Sequence, residues 1–125
     1  MGDRANVYIH EGDWPGVYLY THWDGTELAQ TVLQALASNA GQHRLGDAPY
    51  LARIIFDAMV GEDQGGEGGY GISARLTDNE HPIIVIDCAA RKIGLAHEGQ
   101  EPLAYQEWAM VPLPGDDFLE AYANA

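Results

Sequence analysis

Tyr20, His22, Trp23 and Asp24 stand within five consecutive residues. They bring a phenol, an imidazole, an indole and a carboxylate to one place, groups from which acid–base sites, ligand cradles and contact patches are built. Arg53, one of only six bases, completes the set if its helix packs nearby. The same residues also support a purely structural reading. Asp24 and Glu27 have the spacing of a capping box, Trp23 and Leu28 that of a hydrophobic staple, and Arg53 and Asp57 that of an i, i+4 ion pair.

Metal chemistry has a narrower basis. None of the five histidines lies in a His-Glu-x-x-His pattern, and no cysteine pairs exist. A carboxylate–imidazole site would need the turn bearing Asp78 and Glu80 to fold against His22 and Asp24. Other chemistries fit less well. Ser38 and Ser73 are outside any nucleophile elbow. Gly66-Glu67-Gly68-Gly69-Tyr70-Gly71 has the letters of a dinucleotide fingerprint, but it follows a helix and opens a strand, the reverse of what pyrophosphate binding requires. The lone Cys88, at a strand end, reads as a small buried apolar residue and excludes an internal disulfide.

The elements that must position these residues follow from periodicity. Asn6–Glu11 and Val17–His22 alternate as strands around the turn cluster Gly12–Gly16 and form a hairpin with a five-residue loop. A helix opens at Asp24, carries Leu28, Val32, Leu33 and Leu36 inward, and stops at Gly41. A second opens at Asp47, with Pro49 in its first turn, and buries Leu51, Ile54, Ile55 and Ala58 before Gly61. After a glycine-rich loop come strands at Ile72–Thr77, Ile83–Ile86 and Lys92–His97, the middle one apolar on both faces and therefore central. Asp116–Tyr122 reads as a last helical turn or two. The predicted fold is α+β: an antiparallel sheet of about five strands, hairpin plus meander, with two central helices packed on one face and the Tyr18, Tyr20, His22 face open. The 125 residues make one acidic domain, in which 98–125 form an acidic extension.

Nineteen acids face six bases, a formal charge of −13, although 46% of the residues are apolar. A field of that sign opposes direct binding to nucleic acid or to anionic membranes. No apolar run approaches the roughly 18 residues of a membrane span, and a cytoplasmic location is expected. The acids are uneven. Glu98, Glu101, Glu107, Asp116, Asp117 and Glu120 succeed one another without a base. Such a surface suits either solubility or a basic protein partner.

Tyr20-Thr21-His22-Trp23-Asp24-Gly25, Leu51-Ala52-Arg53-Ile54-Ile55-Phe56, Gly69-Tyr70-Gly71-Ile72-Ser73 and Asp78-Asn79-Glu80-His81-Pro82-Ile83-Ile84-Val85-Ile86-Asp87 together resemble a group of small uncharacterised proteins of bacteriophages, prophages and other mobile elements. The resemblance spans about residues 17–97 and carries no chemistry. It implies an accessory protein of the bacterial host cytoplasm that inhibits a host protein with a basic surface. A nucleic-acid-handling defence complex is the leading target, blocked by DNA mimicry in the anti-CRISPR manner. On that reading Glu98, Glu101, Asp116 and Asp117 are contact residues and no cofactor is needed. The alternative is a small-molecule binder or small enzyme built on Tyr20, His22, Trp23, Asp24 and Arg53. A viral assembly protein forming a homodimer is the third reading.

Overall fold

The computed structural model describes residues 2–97, 108–109 and 116–124. The fold is α+β. Strands β1 (Ala5–Glu11) and β2 (Trp14–Thr21) form the expected hairpin, but the turn is shorter than its sequence suggests. Glu11 already pairs with Trp14, through a bulge after Ile9, so Gly12 and Asp13 alone make the reversal. Gly12 has φ +58°, which a side chain would resist.

The first helical segment is broken where a single helix is expected. A short 3-10 turn, Gly25–Glu27, leads into α1 (Leu28–Ala37). Ser38 is extended (ψ 159°), and its hydroxyl accepts from the Gly41 N–H to start α2 (Asn39–His43). Helix α3 (Ala48–Val60) follows. Its buried stripe is Leu51, Ile55 and Met59, whereas Ile54 is only half-buried and Ala58 is exposed.

The largest departure is in the sheet. β3 (Tyr70–Ser73), β4 (Ile83–Asp87), β5 (Lys92–Ala96) and the two-residue β6 (Trp108–Ala109) complete a six-stranded order β3-β2-β1-β4-β5-β6. Of the expected three-stranded meander only the antiparallel β4–β5 pair is present. β3 pairs with β2 at one edge, and β4 pairs with β1 in parallel, Val7 opposite Ile84 and Ile9 opposite Ile86. The sheet is thus mixed, with all its other pairings antiparallel.

β3 and β4 run in the same direction on opposite sides of the hairpin, so residues 74–82 must cross the sheet. They cross the face away from the helices. Leu76 packs there with Ile83, Val85, Ala96, Tyr8 and Tyr18. That face is consequently covered in part, where the alternation of Tyr18, Tyr20 and His22 suggests an open one.

The principal core lies on the helix face. Val7, Ile9, Leu19, Ile84, Ile86 and Ile93 meet Leu28, Val32, Leu36, Leu51 and Ile55 there. A further helix, α4 (Asp116–Asn124), joins the same cluster through Phe118, fully buried, and Tyr122. Residues 116–124 of the expected acidic extension thus reach the core.

Candidate functional site

Two short strands of chemistry meet at the end of the β1–β2 hairpin, on opposite faces of the sheet. Tyr20 and His22 are two residues apart and project to the same side. The Tyr20 hydroxyl lies 3.0 Å from His22 Nδ1. Trp23 is 55% exposed and sets its ring against His22, centroids 4.2 Å apart, and beside Gly69. It does not sink beside Leu28 as a staple. Asp24 points the other way. It makes no side-chain capping bond, and its carboxylate instead accepts from the Tyr70 hydroxyl. That bond first, then burial and the charges of Asp24 and Asp63, push the Tyr70 phenol up to about 12.

Arg53 does not join this group. It is on the helix side of the sheet, and its guanidinium pairs with Asp57 at 2.7 Å, well exposed. The guanidinium beside Tyr20 belongs to Arg4. A Cβ built on Gly2 would meet His22 Nε2 at 3.0 Å and Arg4 Nε at 3.1 Å, so both nitrogens crowd one point. Burial raises the Tyr20 phenol, with Arg4 opposing and the charges of Asp78 and Glu80 reinforcing. The structure therefore does bring Asp78 and Glu80 to the Tyr20 side, by the crossover and not by a meander. Among the described residues no group of three or more His, Cys, Asp or Glu is placed to hold a metal ion.

Asn6 organises the crossover. Its side chain has no exposure. Its amide nitrogen donates to Thr77 O (3.4 Å), Asp78 O (3.1 Å) and Asn79 Oδ1 (3.1 Å), and its oxygen accepts from the Thr77 hydroxyl (3.1 Å). The Arg4 N–H donates to Glu80 Oε1, and the Glu80 N–H to Arg4 O, each at 2.8 Å. Residues 77–80 are thus fixed to β1. Neither Asn6 nor Arg4 is singled out by sequence. The available signal was a polar residue between Ala5 and Val7, which a strand buries only with partners.

The helix-start role expected of Asp24 belongs to Asp3. Asp3 Oδ2 accepts from the Thr26 N–H at 2.8 Å, Oδ1 lies 2.6 Å from His81 Nε2, and Asp3 O accepts from the Gly25 N–H. Gly25 is required here, since a Cβ would lie 2.5 Å from Asp3 O. The Tyr122 hydroxyl donates to Gly25 O at 2.6 Å, and its ring stacks on His81.

Burial alone would raise the Asp3 carboxyl, but bonds from His81 and Thr26 and the His81 charge hold it below 3.8. At Asp87, burial is likewise outweighed, by N–H donors from Gly12, Ala90 and Ala89 and by the His10 charge. Carboxyls depressed in the folded state add stability above their unfolded value and lose it as pH falls through the folded one. Asp3→Asn and Asp87→Asn are each expected to cost on the order of 1 kcal/mol near neutral pH. The cost should shrink below pH 3.8. Urea unfolding at several pH values measures this, and a cost that persists unchanged in acid would contradict it.

Two further regions bear on function. Asp24, Glu27, Thr21, Thr31, Met59 and Tyr70 border a polar hollow of about 210 Å³ at the C-terminal end of α3. An apolar hollow of about 380 Å³ lies at the other end, between the hairpin turn and the first turn of α3, beside the exposed Trp14. Its polar groups are committed to the fold. His10 Nδ1 faces Gly12 O, and Glu11 Oε1 accepts from the Ala48 N–H. Cys88 is buried, and burial with the Glu11 and Asp87 charges lifts its thiol to about 12, which removes it as a nucleophile.

Of the acids expected at a contact surface, Asp117 is exposed in the first turn of α4, where a carboxylate complements the helix dipole. Asp116 opens the same turn. Glu98 and Glu101 lie outside the described residues. No described helix is long and apolar enough to cross a membrane. Comparison with protein-family models, with curated proteins and with solved structures finds no match to the chain.

Proposed function

We propose that this chain is a non-enzymatic binding protein whose acidic surface engages a basic protein of a bacterial host. It would act as a phage-type accessory inhibitor that occupies a groove meant for nucleic acid. The observation that carries this reading is where the acids collect. Asp57, Glu62, Asp63 and Glu67 follow one another around the C-terminal end of α3, and Asp24 and Glu27 face that end across the polar hollow. No base stands in the last turn of α3.

The end of a helix already carries partial negative charge, so each acid placed there costs about 0.3–1 kcal/mol. Asp57 alone of the six is ion-paired among the described residues. Water and salt screen much of that repulsion, and a cationic partner removes more of it. The resemblance to proteins of mobile elements supplies the class of partner, and the formal charge of −13 supplies the sign.

The test compares the wild-type chain with Glu27→Gln, Glu62→Gln, Asp63→Asn and Glu67→Gln combined. Each is captured against bacterial lysate and against the purified proteins that lysate yields. A nucleic-acid-handling protein should bind at low salt, leave at high salt and be displaced by duplex DNA. The variant should bind it at least about tenfold more weakly, a loss of about 1.4 kcal/mol or more. Binding unchanged in the variant, or indifferent to salt, sinks the proposal.

A further inference from the structure

β3 is an edge strand that nothing blunts. It pairs with β2 on one side, and among the described residues no strand lies on the other. The bond from the His22 N–H to Gly69 O fixes the phase of that ladder. In antiparallel pairing the bonded pairs alternate, so Gly71 and Ser73 spend their backbone groups on Tyr20 and Tyr18. The N–H and C=O of Tyr70 and of Ile72 therefore point outward. Natural edges are guarded by charge, proline or a bulge. Tyr70-Gly71-Ile72-Ser73 has no charge and no proline, and its pairing with β2 runs without a register shift.

Both faces beside this edge are open as well. Leu19 is 1% exposed, whereas Ile72, its partner across the ladder, is 61% exposed, so the helix layer ends between them. On the other face a Cβ built at Gly71 would meet nothing within 4 Å. An added strand has room on either side and would cover Ile72. Charge is uneven along the edge. Glu62, Asp63 and Glu67 are exposed in the loop that leads into β3, and the Asp63 charge reaches the Tyr70 phenol. Arg75 lies exposed beyond the other end. The net charge of −13 opposes a second copy of the chain and favours a basic segment, with its bases beside Tyr70 and not beside Arg75.

We infer that β3 is a docking edge for an extended basic segment of a protein partner, which joins the sheet as a further strand beyond β3. This rests on the acidic-surface reading above and supplies what charge alone lacks, a fixed direction and register.

The experiment titrates the isotope-labelled protein with acetylated, amidated peptides of alternating Thr and Val that carry a pair of Lys at the N-terminal or at the C-terminal end, one peptide for each strand direction. Backbone amide shifts of residues 70–73 are the readout. One of the peptides should shift them saturably and bind at least about tenfold more tightly than its counterpart with Glu in place of Lys. N-methylation of one alternate set of its amides should weaken binding about tenfold or more, whereas the other set, facing away from β3, tolerates it. Ile72→Pro removes an outward N–H and no ladder bond, so it keeps the fold and should weaken binding as much. If that variant fails to fold, the methylated peptides decide the matter on the wild-type chain. No saturable shift at about 1 mM peptide, equal binding of both methylated forms, or full binding by Ile72→Pro would each overturn the inference. Self-association through residues 70–73 would overturn it in favour of a second copy. Binding that is lost when Glu62→Gln, Asp63→Asn and Glu67→Gln are combined, but is indifferent to methylation, leaves the acidic surface standing and removes the strand. Equal binding of the Glu peptide removes both.

Discussion

Phe118→Ala is expected to destabilise the protein by about 3–5 kcal/mol, the usual cost of emptying a buried aromatic site. Phe118 has no exposure and belongs to the same cluster as Leu28, Val32, Ile84 and Ile93. The strands that line the cluster are tied to one another by backbone bonds, so the vacated volume closes only in part. For a chain of this length the melting temperature should fall by roughly 10–20 °C. Glu120→Ala, on the exposed side of the same helix, should change stability by less than about 0.5 kcal/mol. Urea and thermal unfolding of both variants give the comparison. A loss below about 1 kcal/mol at Phe118 would mean that α4 is an ornament on the core.

Asn6→Ala should cost about 2–4 kcal/mol, although it removes only a small polar group. The substitution strands the Thr77 and Asp78 carbonyls and the Thr77 hydroxyl, all held by that one side chain. Asn6→Asp keeps the acceptor, loses the donors and buries a charge against carbonyl oxygens, so it should be at least as damaging. Hydrogen exchange localises the effect. Amides of residues 77–80 should lose protection more than those of α1. Equal protection in wild type and Asn6→Ala would show that Leu76 and the Arg4–Glu80 bonds hold the crossover without it.

Local periodicity told the elements apart well, because it reports which face each residue turns to the core. Val17, Leu19 and Thr21 alternate with Tyr18 and Tyr20, and Leu28, Val32 and Leu36 repeat at helical spacing, and both patterns survive in the structure. The order of the strands is not a local property. Ile83–Ile86 reads correctly as a strand buried on both faces. Its neighbour on one side, however, is β1, more than seventy residues away in sequence, and nothing in either strand names the other. The break at Ser38 was available in Ser38-Asn39 but hidden by the apolar repeat before it.

The site follows the same division. Tyr20 and His22 meet because alternate residues of a strand share a face. Arg53 fails to meet them because the sheet stands between. Arg4 and Asp3 escaped notice because they precede the first periodic element, and only the tertiary fold gives their side chains partners.

The parallel pairing of β1 with β4 also sets a timetable. β1 is synthesised well before the strand that flanks it and the crossover that Asn6 grips, both of which lie beyond residue 70. α4, which joins the core, follows all the other described elements. The hairpin and α1 can form early, but their apolar faces have no cover until most of the chain has left the ribosome. Contacts of such separation in sequence make folding slow relative to a helical bundle of equal size. For that interval the net negative charge of the chain opposes association of the unfinished intermediate.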